Sequence, residues 1–339
     1  MPIIPFKNIK FTSDRPDRLS TRGQFVMFLA FIVVILGLTA CSGLAGRTEA
    51  QSNAMQAESA GASAIPGLID RLGHTDFRLP EQVTLCGEAF DLKRAAVAER
   101  LEFEFIRVVN HPAQVALWQR RAALYFPLIE AELRAAGLPD DLKYLAVAES
   151  DLRPWIVSPA GALGLWQFMP ATAKAFGLTV SPKIDQRQLP EPLLGAAQRY
   201  FKSLHNKFGN WALAMAAYNA GEGRIARAMT TQGIDNYFDL DLPRETERYV
   251  YRIAAIKVVM ENATHYGLKS SLPAKFYETE SYVERNVDIP KGRTWPQLAK
   301  QLGCDYKTLR TLNPHITQAS LAGPYTLRVP VSAANKPIQ

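Results

Sequence analysis

Glu149 is the residue whose type and place could do chemistry. In Leu138–Leu152, Leu142, Leu145, Ala146 and Glu149 recur at i, i+3, i+4 and i+7, so they share one face of a helix. Glu149 thus stands near the centre of the stripe that should meet the core. A carboxylate there is costly unless it is paired or neutral. Burial raises a carboxyl pKa, and a raised pKa is what a general acid for glycosidic cleavage needs near neutral pH. A structural glutamate paired to an arginine fits the same isolated pattern.

Three blocks stand close to this residue or come after it. Glu149-Ser150 is followed by Ser158-Pro159-Ala160-Gly161-Ala162-Leu163-Gly164-Leu165-Trp166-Gln167-Phe168-Met169-Pro170. Its two glycines and two alanines let a backbone approach a bulky ligand closely. Gln167 offers amide donors and an acceptor to sugar hydroxyls or N-acetyl groups. Trp166, Phe168 and Met169 fit an apolar wall or plain core. Ala217-Tyr218-Asn219-Ala220-Gly221-Glu222-Gly223 comes next, at a helix end, then Glu245-Thr246-Glu247-Arg248-Tyr249-Val250. Most glycosidases need a second carboxylate. Asp151 points elsewhere on the helix, and no acidic residue lies within Ser158–Pro170.

The elements that must position these blocks are helices. From Pro112 to Gly267 the punctuation is that of short helices. Pro139 opens one, with Asp140 and Asp141 favouring its N-terminal dipole. Pro170 opens another that stops at Gly177. Leu193, Ala197, Tyr200, Phe201, Leu204 and Phe208 share a face of a third, which stops at Gly209. Asn210 caps the next, from Trp211. Pro243 opens a last long helix ending at Gly267, with Tyr249, Ile253, Ile256 and Met260 in register. Beyond it the pattern changes. Val283, Val287 and Ile289 alternate with polar residues, interrupted by Arg285; helices follow over Pro296–Leu302 and Tyr306–Leu312; Tyr325, Leu327 and Val329 alternate again. Strand, helix, helix, strand predicts a small separate βααβ module.

The N-terminus reads as an address. Lys7, Lys10, Arg15, Arg18 and Arg22 precede the uncharged run Phe25–Leu38, and then comes Leu38-Thr39-Ala40-Cys41. A basic region, a short apolar run and small residues before a junction form a secretory signal. A permanent span needs about 20 mainly apolar residues, and Gly, Ser and Thr crowd the end of this one. Leu-Thr-Ala-Cys resembles a bacterial lipobox. That resemblance implies cleavage before Cys41, lipidation of its thiol and, with Ser42 next, sorting to the outer membrane. Residues 42–65 are rich in Ala, Ser, Gly, Gln and Asn and predict a flexible tether.

The 339 residues are 47% hydrophobic and 21% charged, which excludes a mainly disordered or collagen-like chain and predicts about two domains. Three cysteines are too few for a disulfide scaffold, and no pair has CxxC spacing. An exported chain permits Cys86 and Cys304 to pair without requiring it. The net charge is +7 with no concentrated basic patch, so no nucleic-acid partner is expected. Nothing has zinc-ligand spacing, and neither a metal nor a cofactor is expected.

Taken together, the three blocks resemble bacterial lytic murein transglycosylases of the soluble-lytic-transglycosylase, lysozyme-like group. The match runs from about Leu138 to Gly267 and is closest to the membrane-bound D type. The resemblance implies a mainly α, goose-lysozyme-like domain acting on peptidoglycan glycan strands, with Glu149 as catalytic acid/base. It also implies substrate contacts at Ser158, Gln167, Tyr218, Asn219 and Tyr249. In that family one glutamate suffices. It protonates the oxygen bridging MurNAc and GlcNAc, the substrate's N-acetyl group stabilises C1, and the C6 hydroxyl closes a 1,6-anhydro ring without water. One departure is Asp185-Gln186-Arg187-Gln188-Leu189-Pro190, where the D type usually has a second aspartate and a Ser-Thr pair. The C-terminal module resembles a degenerate LysM domain through Gly292, Thr294, Leu298, Ala299, Leu309, Asn313, Pro314, Leu327 and Pro330, with Arg293 where an acidic residue is usual.

The expected organisation is a signal peptide over 1–40, a lipidated tether over 41–65 and an N-terminal extension over 66–111. A catalytic domain follows over 112–267 and a LysM-like module over 275–331. The expected place is the cell envelope, lipid-anchored to the periplasmic face of the outer membrane. Two other functions fit the same residues: a hydrolytic muramidase of the same fold, and a lipoprotein that binds peptidoglycan without cutting it.

Overall fold

The computed structural model describes residues 77–268 and 281–334. The signal, Cys41 and the tether lie outside the described residues, as does the expected start of the module at residue 275. Among the described residues no helix is long and apolar enough to cross a membrane. The described residues fall within one compact unit.

A two-residue hairpin, β1 (Thr84–Leu85) and β2 (Glu88–Ala89), opens it. The helices are α1 (Ala95–Val109), α2 (Pro112–Ala135), α3 (Lys143–Ser150), α4 (Pro170–Ala175), α5 (Pro190–Phe208), α6 (Trp211–Ala220), α7 (Glu222–Gln232) and α8 (Arg244–Glu261). Two predicted start signals act as expected: Pro170 occupies a first-turn position of α4, and the Asn210 side chain accepts from Leu213 N–H at 2.8 Å. Pro190 takes the same first-turn position in α5. The helix expected from Pro139 begins one turn later, because Asp140–Leu142 winds as a 3-10 turn. The last long helix stops at Asn262 rather than Gly267. Residues 263–267 form tighter turns that return the chain over Ala263.

One hydrophobic core runs from Val83 to Tyr266. It includes Leu101 and Phe105 of α1, which packs along α8, so the segment ahead of residue 112 supplies core to the helical body from Val83 onward. Leu142, Leu145 and Ala146 are fully buried, as their stripe predicts.

The C-terminal part is strand, helix, helix, strand, as the alternation predicts. β3 (Tyr282–Thr294) pairs antiparallel with β4 (Ser320–Pro330) around α9 (Trp295–Leu302) and α10 (Tyr306–Leu312). It has its own core of Val287, Ile289, Trp295, Leu298, Leu309 and Leu327. It is not free of the helical body. Ile184 packs on that core and bridges Ile316, Asp185 N–H donates to His315 C=O at 2.7 Å, and Thr317 N–H donates to Lys183 C=O at 3.0 Å. A strand-like segment of the body is thus completed by the module. Cys86 is buried, Cys304 is half-buried, and the two are not joined to each other.

Candidate active site

Glu149 lies in the last turn of α3, with Asp151 as the left-handed cap at φ 54°. The two residues after Ser150 both hold positive φ, Asp151 at 54° and Leu152 at 57°, and this turns the chain sharply away from the helix. Ser150 ties the downstream chain back to α3. Its Oγ donates to the carbonyls of Ala146 and Leu165, at 3.1 and 2.8 Å. The loop that carries Trp166 and Gln167 is therefore fastened to the residue next to Glu149.

The Glu149 side chain keeps partial solvent access, and its carboxyl accepts a hydrogen bond from Tyr249 Oη of α8. Burial pushes its pKa up to about 7. The Tyr249 hydrogen bond and the Arg252 charge pull it down, while Glu245 adds a smaller upward push. Desolvation wins, so a proton is available near neutral pH. Tyr249 and Tyr218 have hydroxyl pKa values far above the ordinary value, chiefly through burial and then the Glu149 charge. Both stay neutral donors.

The other acidic groups nearby are committed. Asp151 accepts from Trp118 Nε1 at 2.8 Å and from Arg153 at 2.9 Å. Glu245 pairs with Arg252 at 3.0 Å, which holds its pKa below the ordinary value. Glu104, buried in α1, faces Arg248 and, at 3.9 Å, Arg252. Arg248 and Arg252 flank Tyr249 on α8, so this carboxylate anchors the helix that delivers the tyrosine.

The Ser158–Pro170 block is a turn closed on itself. Val157 bridges Leu163, and Leu163 bridges Phe168. Ser158 Oγ accepts from Ala162 N–H at 3.0 Å. Gln167 has φ 47°, and its Nε2 donates to the carbonyls of Ile156 and Gly164, each at 3.0 Å. The amide donors expected to meet a ligand thus close the loop instead. Trp166 and Phe168 are core, and only Met169 of the expected apolar wall is exposed.

Gly164 makes room for the protein's own backbone. At Gly164, φ 89°, an added Cβ would lie 2.1 Å from the Arg187 carbonyl oxygen and 2.7 Å from Leu193. Gly161, φ 86°, has open space around it and serves the turn. Arg187 is buried and donates to the carbonyls of Gly161 and Phe168, both at 2.8 Å, while pairing with Asp185 at 2.7 Å. The Asp185–Arg187 departure is therefore the brace of this loop.

Tyr218 Oη donates to the Trp166 carbonyl, and Asn219 Oδ1 accepts from Thr246 Oγ1 at 3.0 Å. α6, the loop and the start of α8 are so joined around Glu149. Tyr249 touches the carboxyl directly, Tyr218 senses its charge, and Asn219, Gln167 and Ser158 are held by neighbouring backbone and side chains. Ser150, Glu104 and Arg187 are supporting residues that the sequence does not single out. Ser150 adjoins Glu149, and an Asp-x-Arg pair is visible at 185–187, but their partners lie far along the chain. No group of acidic, His and Cys side chains with metal-binding geometry occurs among the described residues.

Residues 126–239 match the transglycosylase SLT domain family, a span that includes Glu149, Ser158, Gln167, Tyr218 and Asn219. The chain is 30% identical to membrane-bound lytic murein transglycosylase D of Escherichia coli (strain K12) over 223 residues, 64% of this chain and 48% of that protein. It is 37% identical to the soluble lytic murein transglycosylase of Escherichia coli (strain K12) over 86 residues, 24% of this chain and 13% of that protein. Among solved structures it is similar to the 70 kDa soluble lytic transglycosylase from Escherichia coli, at 22% identity and a TM-score of 0.37, over 50% of this chain and 32% of that one. The chain thus spans about half the length, or less, of the relatives it matches.

Proposed function

We propose that the chain is a peptidoglycan lytic transglycosylase in which Glu149 serves first as acid and then as base. The observation that carries this reading is a carboxyl with its pKa raised to about 7, beside acidic neighbours that are already paired. A two-carboxylate hydrolase needs a second acidic group free to attack C1 or to activate water. Asp151 and Glu245 are held by Trp118, Arg153 and Arg252, which favours a one-carboxylate route. The relatives' names supply the substrate class.

The protonated Glu149 gives its proton to the oxygen bridging MurNAc and GlcNAc. The C1–O bond breaks and GlcNAc leaves as an alcohol. The substrate's acetamido oxygen stabilises C1. The Glu149 carboxylate then takes the proton of the MurNAc C6 hydroxyl, and O6 bonds to C1 as a 1,6-anhydro ring. The proton count closes and no water is consumed. Tyr249 fixes the carboxyl by one donated hydrogen bond, which favours the carboxylate form needed in the second half. Ser150, Arg187 and Tyr218 hold the loop that faces it.

Cys41 is proposed as the lipid attachment site. Several acyl chains on one cysteine would anchor the chain stably to the cell envelope. The business of such an enzyme is remodelling or turnover of the wall. Mass spectrometry of products released from purified sacculi tests the reaction. Anhydro ends are expected; reducing ends would make the chain a hydrolytic muramidase, and no release would leave only binding.

A further inference from the structure

A cavity of about 700 Å³ lies where the βααβ module meets the helical body, within the size range of small-ligand sites. Glu149, Gln167, Tyr218 and Tyr249 do not line it. One wall comes from α2 and the chain just after Glu149, through Leu124, Tyr125, Pro154 and Trp155. The 3-10 turn ahead of α5 supplies Gln188, the first turn of α5 supplies Glu191, and the module supplies Lys307, Thr308, Thr311 and Arg328. Two contacts from the module to Glu191 cross the junction. Arg328 pairs with it at 3.1 Å, and Tyr282 Oη donates to it at 3.2 Å.

Two features give the cavity a chemistry. Trp155 is 63% exposed, a large flat apolar face left in water next to groups that can donate and accept hydrogen bonds. Lys307, on the module side of the same cavity, is exposed, and Thr308 and Gln188 add polar atoms. A flat apolar platform ringed by polar groups suits a pyranose ring, whose C–H face is apolar and whose rim carries hydroxyl and acetamido groups. The place is also informative. Pro154 and Trp155 form the wall, and the next residue, Ile156, accepts the Gln167 amide at 3.0 Å. The cavity and the loop facing Glu149 are thus built on one short run of chain.

We propose that this junction cavity binds a stretch of N-acetylated β-1,4 glycan outside the cleavage site, with Trp155 under a sugar ring and Lys307, Thr308 and Gln188 on its polar rim. The occupant rests on the functional reading above, since a polymer held at Glu149 continues past the bond that is cut. Two weak contacts on one strand raise the effective concentration at each.

The test is titration calorimetry with a β-1,4-linked N-acetylglucosamine hexamer, in the full chain carrying Glu149→Gln to prevent turnover. Adding Trp155→Ala should weaken hexamer binding at least tenfold. Adding Thr311→Arg instead, which fills the cavity from the module side, should do the same without touching Trp155. Both sites are exposed, and unchanged thermal melting checks the fold. Unchanged hexamer binding in either variant overturns the proposal, including the case in which the cavity takes a stem peptide rather than glycan. The outcome is separable from the catalytic reading: cleavage of sacculi retained by Glu149→Gln would sink that reading, whereas the calorimetry concerns binding with no bond broken.

Discussion

The helical body and the βααβ module each bury a polar side chain, and they treat it in opposite ways. In the module Asn313 is fully buried. Its Nδ2 donates to the carbonyls of Leu309 and Arg328, at 2.9 and 2.7 Å, and its Oδ1 accepts from Arg328 N–H at 2.8 Å. It ties the end of α10 to β4, with both amide hydrogens committed to backbone carbonyls. Glu149 in the body has one tyrosine donor and a carboxyl pushed out of its ordinary range by burial. Around it Asp151, Leu152 and Gln167 hold positive φ, while in the module's strands and helices the positive-φ positions are glycines. A buried polar group whose bonds are complete holds a fold together. One whose bonds are incomplete keeps a proton to give, and strained backbone collects beside it.

Five measurements put this contrast at risk. The largest effect is expected from Glu149→Gln, which keeps the side chain's shape and removes the proton. Release of soluble fragments from sacculi should fall by about a thousandfold or more, with unchanged circular dichroism. Activity near that of the parent in a folded variant would mean the under-bonded group is merely structural.

Gly164→Ala comes next. Its Cβ would meet the Arg187 carbonyl at 2.1 Å, and φ 89° suits only glycine. A loss of roughly 3–4 kcal/mol in urea unfolding is expected, with activity lost as the brace separates from the loop. A neutral effect would show that the loop shifts freely.

In the module, Asn313→Ala removes three hydrogen bonds and strands their backbone partners. About 2–3 kcal/mol of stability should go. Denaturant melting followed by circular dichroism reads it, and a loss under about 0.5 kcal/mol would remove Asn313 from its structural role.

The pH dependence separates the two polar groups further. The folded-state pKa of Glu149, about 7, lies above its ordinary value of 4.5, so the folded chain binds more protons than the unfolded chain between them. Its contribution therefore favours the fold at low pH and is lost as pH rises through 7. Glu149→Gln does not titrate. Its stability relative to the parent should grow by up to about 2 kcal/mol between pH 4.5 and 8, a figure that allows for solvent access. Parallel curves for the two chains over this interval would contradict the raised pKa.

The smallest effect is expected from Tyr249→Phe. Its hydrogen bond lowers the Glu149 pKa, so its loss should move the alkaline limb of the pH–rate profile upward by roughly 1 unit. A shift downward would mean that the tyrosine stabilises the protonated acid instead.

Much of the local architecture is legible in the chain. The Leu142–Leu145–Ala146–Glu149 stripe, the Asn210 cap, the prolines opening α4 and α5, and the alternation flanking α9 and α10 are each properties of a few adjacent residues. Helix and strand periods are local, so they show in the sequence. So does the central residue of the site, because a carboxylate in an apolar stripe is an inconsistency that needs a cause.

The surroundings of Glu149 come from folding alone. Arg187 reaches Gly161 and Phe168 across 26 and 19 residues, Tyr249 reaches Glu149 across 100, and Arg248 reaches Glu104 across 144. No period marks such pairs. The roles read from residue type change accordingly: Gln167 spends its amide donors on its own loop, and Gly164 makes room for a carbonyl rather than a ligand. The docking of Ile184 on the module core is equally hidden, since one exposed-looking isoleucine has no partner until the chain folds back. Which residues form helices and strands, and which carboxyl stands out, is written in local order along the chain. The neighbours of that carboxyl, its pKa and the cavity at the module junction depend on contacts between distant segments, and those exist only once the chain has closed on itself.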